Sequence, residues 1–138
     1  MALVEHTFTE PEAEVAVGLS GTRSLTAAAV ARRVRRRVED VEPILDALAF
    51  GKRAIGGGGQ PGRHRYRLLP VMPGMFEMVL IGQSPDKLSD WHRQFAALVE
   101  ALFEAGYTVD YQRQRTPVVR FLPVGQIVGQ HPMALPAD

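Results

Sequence analysis

The chain contains no cysteine. That excludes disulfides, thiolate zinc sites and iron–sulfur ligation within its 138 residues. No apolar run approaches the roughly 20 residues that a helix needs to span a bilayer. The first residues, with Glu5 close behind Met1, lack the basic-then-apolar profile of a secretory signal. A cytoplasmic protein without a membrane partner is the expectation. Catalytic patterns are missing as well: no Ser/His/Asp signature, nucleophile elbow or paired carboxylates stand out. The four histidines, His6, His64, His92 and His131, fall in unrelated segments without spaced acidic or histidine companions. The residues therefore argue against an enzyme and call for no metal or cofactor. Arg and Lys are also absent from the first nineteen residues, which carry four acids.

Hydrophobic residues make up 46% and charged residues 22%, enough for a core and a soluble surface. The length fits one domain, or one small domain with an appended half. A net charge of +1 hides an asymmetry. Between Ser20 and Pro70 there are eleven Arg or Lys against four Asp or Glu, a local charge of about +7. Such a basic module is the electrostatic footprint expected of a nucleic-acid surface.

Thr9 and Glu12 have capping-box spacing, and Pro11 lies in a first turn, so a helix should run from Thr9 to about Leu19. Thr26 caps a second helix, with Leu25 and Val30 placed as a hydrophobic staple. Val38, Val41, Ile44, Leu45 and Leu48 trace one face of a third, from Val38 to Phe50, with Gly51 suited to a left-handed C-cap. Ile55 to Leu69 then folds back around Gly56-Gly57-Gly58-Gly59-Gln60-Pro61-Gly62. On its return strand His64, Tyr66 and Leu68 share one face, and Arg63, Arg65 and Arg67 the other. Three short helices and a β-hairpin wing make a winged helix over residues 1–70. Residues 71–138 read as a strand at Met75–Ile81, a long helix from Pro85 to Ala105 and strands near Tyr107–Tyr111 and Val118–Leu122. An extended arm runs from Gln126 to Asp138. The expected class is α+β.

The glycine run is a wing tip rather than a phosphate loop, because Arg63-His64 and a strand come after it where Lys-Ser/Thr and a helix are required. Candidate nucleic-acid or partner contacts are Arg32, Arg33, Arg35, Arg36 and Arg37 in the helix–turn and Arg63, Arg65 and Arg67 in the wing, eight guanidiniums suited to backbone phosphates. The third helix, however, begins Glu39-Asp40-Val41-Glu42-Pro43, with Asp46 a turn later. A recognition helix places that end against base edges between walls of phosphate, where each unpaired carboxylate costs on the order of 1 kcal/mol. The usual base readers are missing from it.

Leu68-Leu69-Pro70-Val71-Met72-Pro73-Gly74-Met75-Phe76-Glu77, preceded by Tyr66-Arg67, resembles the N-terminal region of some bacterial 4Fe-4S ferredoxin-like proteins. In those, a segment of this type comes after a small helical domain. A helix and a strand similar to Val118-Val119-Arg120-Phe121-Leu122-Pro123-Val124 precede the cluster cysteines. The similarity would cover about Phe8 to Pro136, without the cysteines. It implies a module accessory to an iron–sulfur electron-transfer protein. Two functions are consistent with these residues: a non-enzymatic winged-helix module that binds a protein partner, either a redox protein or a second copy of itself, and a DNA-binding regulator that contacts phosphates through its basic wing.

Overall fold

The computed structural model describes residues 2–81, 84–107, 109 and 113. It is an α+β arrangement with a small antiparallel sheet. Among the described residues the elements are α1 (Ala2–Thr7), α2 (Glu10–Ala16), β1 (Leu25–Thr26), α3 (Ala27–Val34), α4 (Val38–Asp46), β2 (Gly56–Gly58), β3 (Arg65–Arg67), α5 (Phe76–Leu80) and α6 (Asp90–Glu104). No helix among them is long and apolar enough to cross a membrane.

The first four helices form for the local reasons anticipated, with one addition. Thr9 and Glu12 make the capping box of α2, the Thr9 N–H donating to Glu12 Oε2 at 2.8 Å. Thr26 Oγ1 accepts from the Ala29 N–H at 3.3 Å and starts α3. The addition is α1, which the sequence patterns do not signal. It is sewn to α6 by two reciprocal bonds: His6 Nε2–H donates to the Trp91 carbonyl at 2.9 Å, and the Trp91 indole donates to the His6 carbonyl at 3.2 Å.

The sheet order is β1-β3-β2, both pairs antiparallel. Leu25 faces Tyr66, while Gly56, Gly57 and Gly58 face Arg67, Tyr66 and Arg65. The central strand therefore pins both the segment before α3 and the segment after α4. Tyr66 is fully buried and Arg65 and Arg67 are exposed, as strand alternation requires. Val15, Val30, Val41, Leu45, Leu48 and Ile55 close the core beneath it, and Phe95 and Val99 of α6 belong to the same apolar cluster.

Glycine allows this packing at two positions. A Cβ on Gly57 would stand 2.6 Å from Ala49 Cβ and 3.0 Å from Phe50 Cζ, so β2 lies directly on the end of the third helix. Gly59 has φ +110°, and its Cβ would meet the Arg63 carbonyl at 2.8 Å. Gly57→Ala is expected to lose about 2 kcal/mol by overpacking, measured by urea unfolding. Gly58→Ala, which meets nothing within 4 Å, should change stability much less.

Several expectations are corrected. The apolar run Met75–Ile81 is not a strand: Val71–Met75 is a turn of π-helix and Phe76–Leu80 is helical. Met75 and Val79 are buried one helical turn apart while Met78 and Ile81 are exposed, and Glu77 Oε2 accepts the Gly74 N–H at 2.6 Å. A short apolar run does not distinguish the two periods. The expected long helix from Pro85 divides into a 3-10 turn, Pro85–Lys87, and α6, which starts after Ser89. Extended backbone at Leu88 separates them. Gly51 is not the left-handed residue. The third helix ends in a π-turn, Ala47–Gly51, and the positive φ of 58° falls on Arg53. That turn sends Ala54 and Ile55 into the core. Met1–Gly106 is one compact unit and Tyr107–Asp138 a second, because α5 and α6 contribute Val79, Phe95 and Val99 to the shared core. Tyr107 and Val109 have helical backbone where a strand was expected. The remainder of that segment, the strand near Val118–Leu122 and the arm from Gln126 lie outside the described residues.

Candidate interaction surface

The eight arginines singled out from sequence do not act as one set. Three in the helix–turn are occupied within the chain. Arg33 Nη1 donates to the Gly18 carbonyl at 3.1 Å, Arg36 pairs with Glu14 at 3.4 Å, and Arg37 lies 3.3 Å from Glu39 and 4.0 Å from Asp40. Glu14, Val17, Arg33 and Arg36 surround an open hollow of about 500 Å³ whose charges are thus largely paired internally. Arg32 and Arg35 are exposed and have no polar partner among the described residues. Arg35 caps α3 in the left-handed conformation, at φ 56°.

The hairpin arginines are different in kind. Arg63, Arg65 and Arg67 are all exposed, and none has a hydrogen-bond or ion-pair partner among the described residues. They border two connected sides of the sheet. Arg63 and Arg65 face a concavity of about 380 Å³ between the start of α3 and α4, with Thr26, Val38, Glu42 and His64. Arg65 and Arg67 border a second of about 260 Å³ on the outer face, floored by Gly56–Gly58 and walled by Ser24, Leu69 and Met78. This trough continues past Leu69 and Met78 toward Pro70 and Glu77. Of the methionines read from sequence as core or adaptable surface, Met75 is core and Met78 lines the trough.

The acids of α4 are placed unlike the sequence expectation. Asp46 turns toward the hairpin: its Oδ1 accepts the Tyr66 hydroxyl at 2.7 Å and His64 Nδ1–H at 3.0 Å. Phe50 packs on the His64 ring, centroids 4.7 Å apart. Burial, with Asp46 beside it, pushes the Tyr66 phenol far above its ordinary value, so it donates at all physiological pH. Glu39 and Asp40 share Arg37. The single carboxylate of that helix facing the arginine-lined concavity is Glu42. Sequence reasoning missed the Asp46–His64–Tyr66 link, although strand alternation had already put His64 and Tyr66 on one face, opposite the arginines.

Trp91 stacks on His6 and Phe95, and His92 Nδ1 is 2.7 Å from Ser89 Oγ. The arrangement can hold anionic groups in an extended array. Among the described residues, it brings no three potential metal ligands together. Compared with known proteins, the chain matches no family model, no curated protein and no solved structure.

Proposed function

We propose that residues up to about 70 form a winged helix and serve as a non-enzymatic interaction module. Its basic hairpin, the wing, takes the acidic surface of a protein partner. The supporting topology is helix, strand, helix, helix and two-stranded hairpin with sheet order β1-β3-β2. The observation that carries the reading is the split between wing and α4. Three unpaired arginines stand on the wing, beside a helix whose exposed end bears Glu39, Asp40 and Glu42 and no base-reading donor. Carboxylates accept bidentate arginine without needing a groove-reading helix. The resemblance around Leu68–Glu77 makes an iron–sulfur electron-transfer protein the partner class to test first.

A second reading, phosphate contact on DNA, draws support from one finding. Arg37 and the wing hold Glu39, Asp40 and Asp46 locally, which reduces the repulsion their charges would exert on a duplex. Titration with a random-sequence duplex at two salt concentrations separates the readings. If the wing arginines clamp phosphates, three contacts predict affinity falling about fortyfold between roughly 50 and 200 mM salt, and abolished in the Arg63→Ala/Arg65→Ala/Arg67→Ala protein. The protein-binding reading predicts weak duplex affinity and co-purification of an acidic partner that the triple variant loses. Nanomolar, sequence-selective DNA binding would overturn it.

A further inference from the structure

We propose that the free edge of β2 accepts an extended acidic segment of the partner protein as a fourth strand, with its carboxylates held by Arg67 and Arg65. This rests on the protein-binding reading above and specifies how the partner is held.

The edge is open. In the order β1-β3-β2, the described residues that pair with β2 all lie on β3, so every other backbone N–H and C=O of Gly56–Gly58 faces outward. Edge strands are normally blunted by charge, proline or a bulge; here the strand is three glycines without a side chain among them. The glycines also decide where the arginines go. A Cβ on Gly56 would meet Arg67 Cγ at 2.9 Å and Nε at 3.2 Å, which means that the Arg67 stem already lies across β2 in the space a side chain would fill. Its guanidinium is thereby carried from the central strand toward the outer edge, across a strand spacing of about 5 Å. Gly58, opposite Arg65, has nothing within 4 Å of its Cβ position and leaves the equivalent slot empty. A strand added to β2 would present alternate side chains on this outer face, within reach of both guanidiniums. The trough beside them, with Met78 39% exposed, accepts an apolar side chain from the neighbouring chain.

Charge selects the occupant. A second copy pairing edge to edge would bring two Arg65/Arg67 sets onto one face, a like-charge juxtaposition. An acidic strand meets them with opposite charge and supplies the missing main-chain bonds. Strand addition takes affinity from the backbone and specificity from alternate side chains, which suits an edge without side chains of its own.

The test is an NMR titration of the full chain with a blocked peptide of alternating Glu and Val, and with the same peptide N-methylated at its central residues. The expected result is shifts across Gly56–Gly58 and slowed exchange at the outward-facing amides among them. Affinity should fall about tenfold or more on N-methylation and again in Arg65→Gln/Arg67→Gln, which removes two charge-assisted bonds at exposed positions. Equal binding of the N-methylated peptide, or shifts that bypass β2, would overturn strand addition and leave the acidic-partner reading standing. No shift with either peptide, together with tight duplex binding, would overturn both.

Discussion

Asp46→Ala should lower the stability of the folded chain by about 3 kcal/mol, although the Asp46 side chain is 42% exposed. The size comes from what the substitution strands. Tyr66 is fully buried at the centre of the sheet, and its hydroxyl donates to Asp46 Oδ1. A buried donor without a partner costs about 1–3 kcal/mol, and a bond to an ionised acceptor is at the stronger end of the range. His64 loses its acceptor at the same time. Tyr66→Phe removes the donor itself and should cost only about 1 kcal/mol. In the double variant the two losses should fall well short of additive, because both remove the same bond. Urea unfolding of the four proteins measures this; additive losses would show that the link does not hold hairpin to helix. Hairpin amides should also exchange faster in Asp46→Ala than in Tyr66→Phe, since His64 keeps its hold on Asp46 in the latter.

Glu12→Ala is the second large loss, also about 3 kcal/mol. Glu12 Oε2 accepts from the Thr9 N–H and, at 2.6 Å, from Lys52 Nζ, which lies 3.3 Å from the Thr7 carbonyl. Both side chains are mostly buried, at 14% and 30% exposed. One carboxylate thus ties the end of α1, the start of α2 and the chain after the π-turn. Burial works against its charged form, but the bonds from Lys52 and Thr9 outweigh it and hold the carboxyl below its ordinary value of 4.5. Because the folded carboxyl is the stronger acid, its contribution is fully present above about pH 4.5 and is lost as pH falls through the lowered value. Unfolding midpoints from neutral to acid pH should therefore drop less steeply below pH 4.5 in Glu12→Gln than in the unaltered chain. An identical acid limb would refute the assignment. Lys52→Met should cost less, about 1–2 kcal/mol, because Thr9 still holds the carboxylate.

The part of the fold legible in the sequence was local. Capping at Thr9 and Thr26, the apolar face of the third helix and the alternation through Arg63–Leu68 each depend on neighbours a few residues away, and these elements form there, although α2 stops at Ala16 rather than Leu19 and the return strand is only Arg65–Arg67. Errors cluster where two periods fit the same short apolar run, as at Met75–Ile81, or where an end is set by distant packing, as at Gly51. Lys52 was unremarkable in sequence because its partner Glu12 is forty positions earlier. The strand Arg65–Arg67, reached from the glycine run without an intervening helix, separates that run from a phosphate loop, which would lead into a helix. Its reason for being glycine, the close approach of Ala49, Phe50 and Arg67, is a matter of tertiary distance.

The same division runs through the functional surface. A basic middle region, the lack of thiols and an α+β pattern that includes an arginine-faced hairpin are legible in the residues, because composition and short periods are written directly in them. Which charges are available depends on tertiary contacts. Arg33, Arg36 and Arg37 are taken up by Gly18, Glu14 and the first turn of α4, and Asp46 by the hairpin. Arg63, Arg65 and Arg67 stand unpaired among the described residues, beside a glycine edge. A charge is free or spent according to what lies within a few ångströms of it, and for these residues most such neighbours are brought close only by the fold.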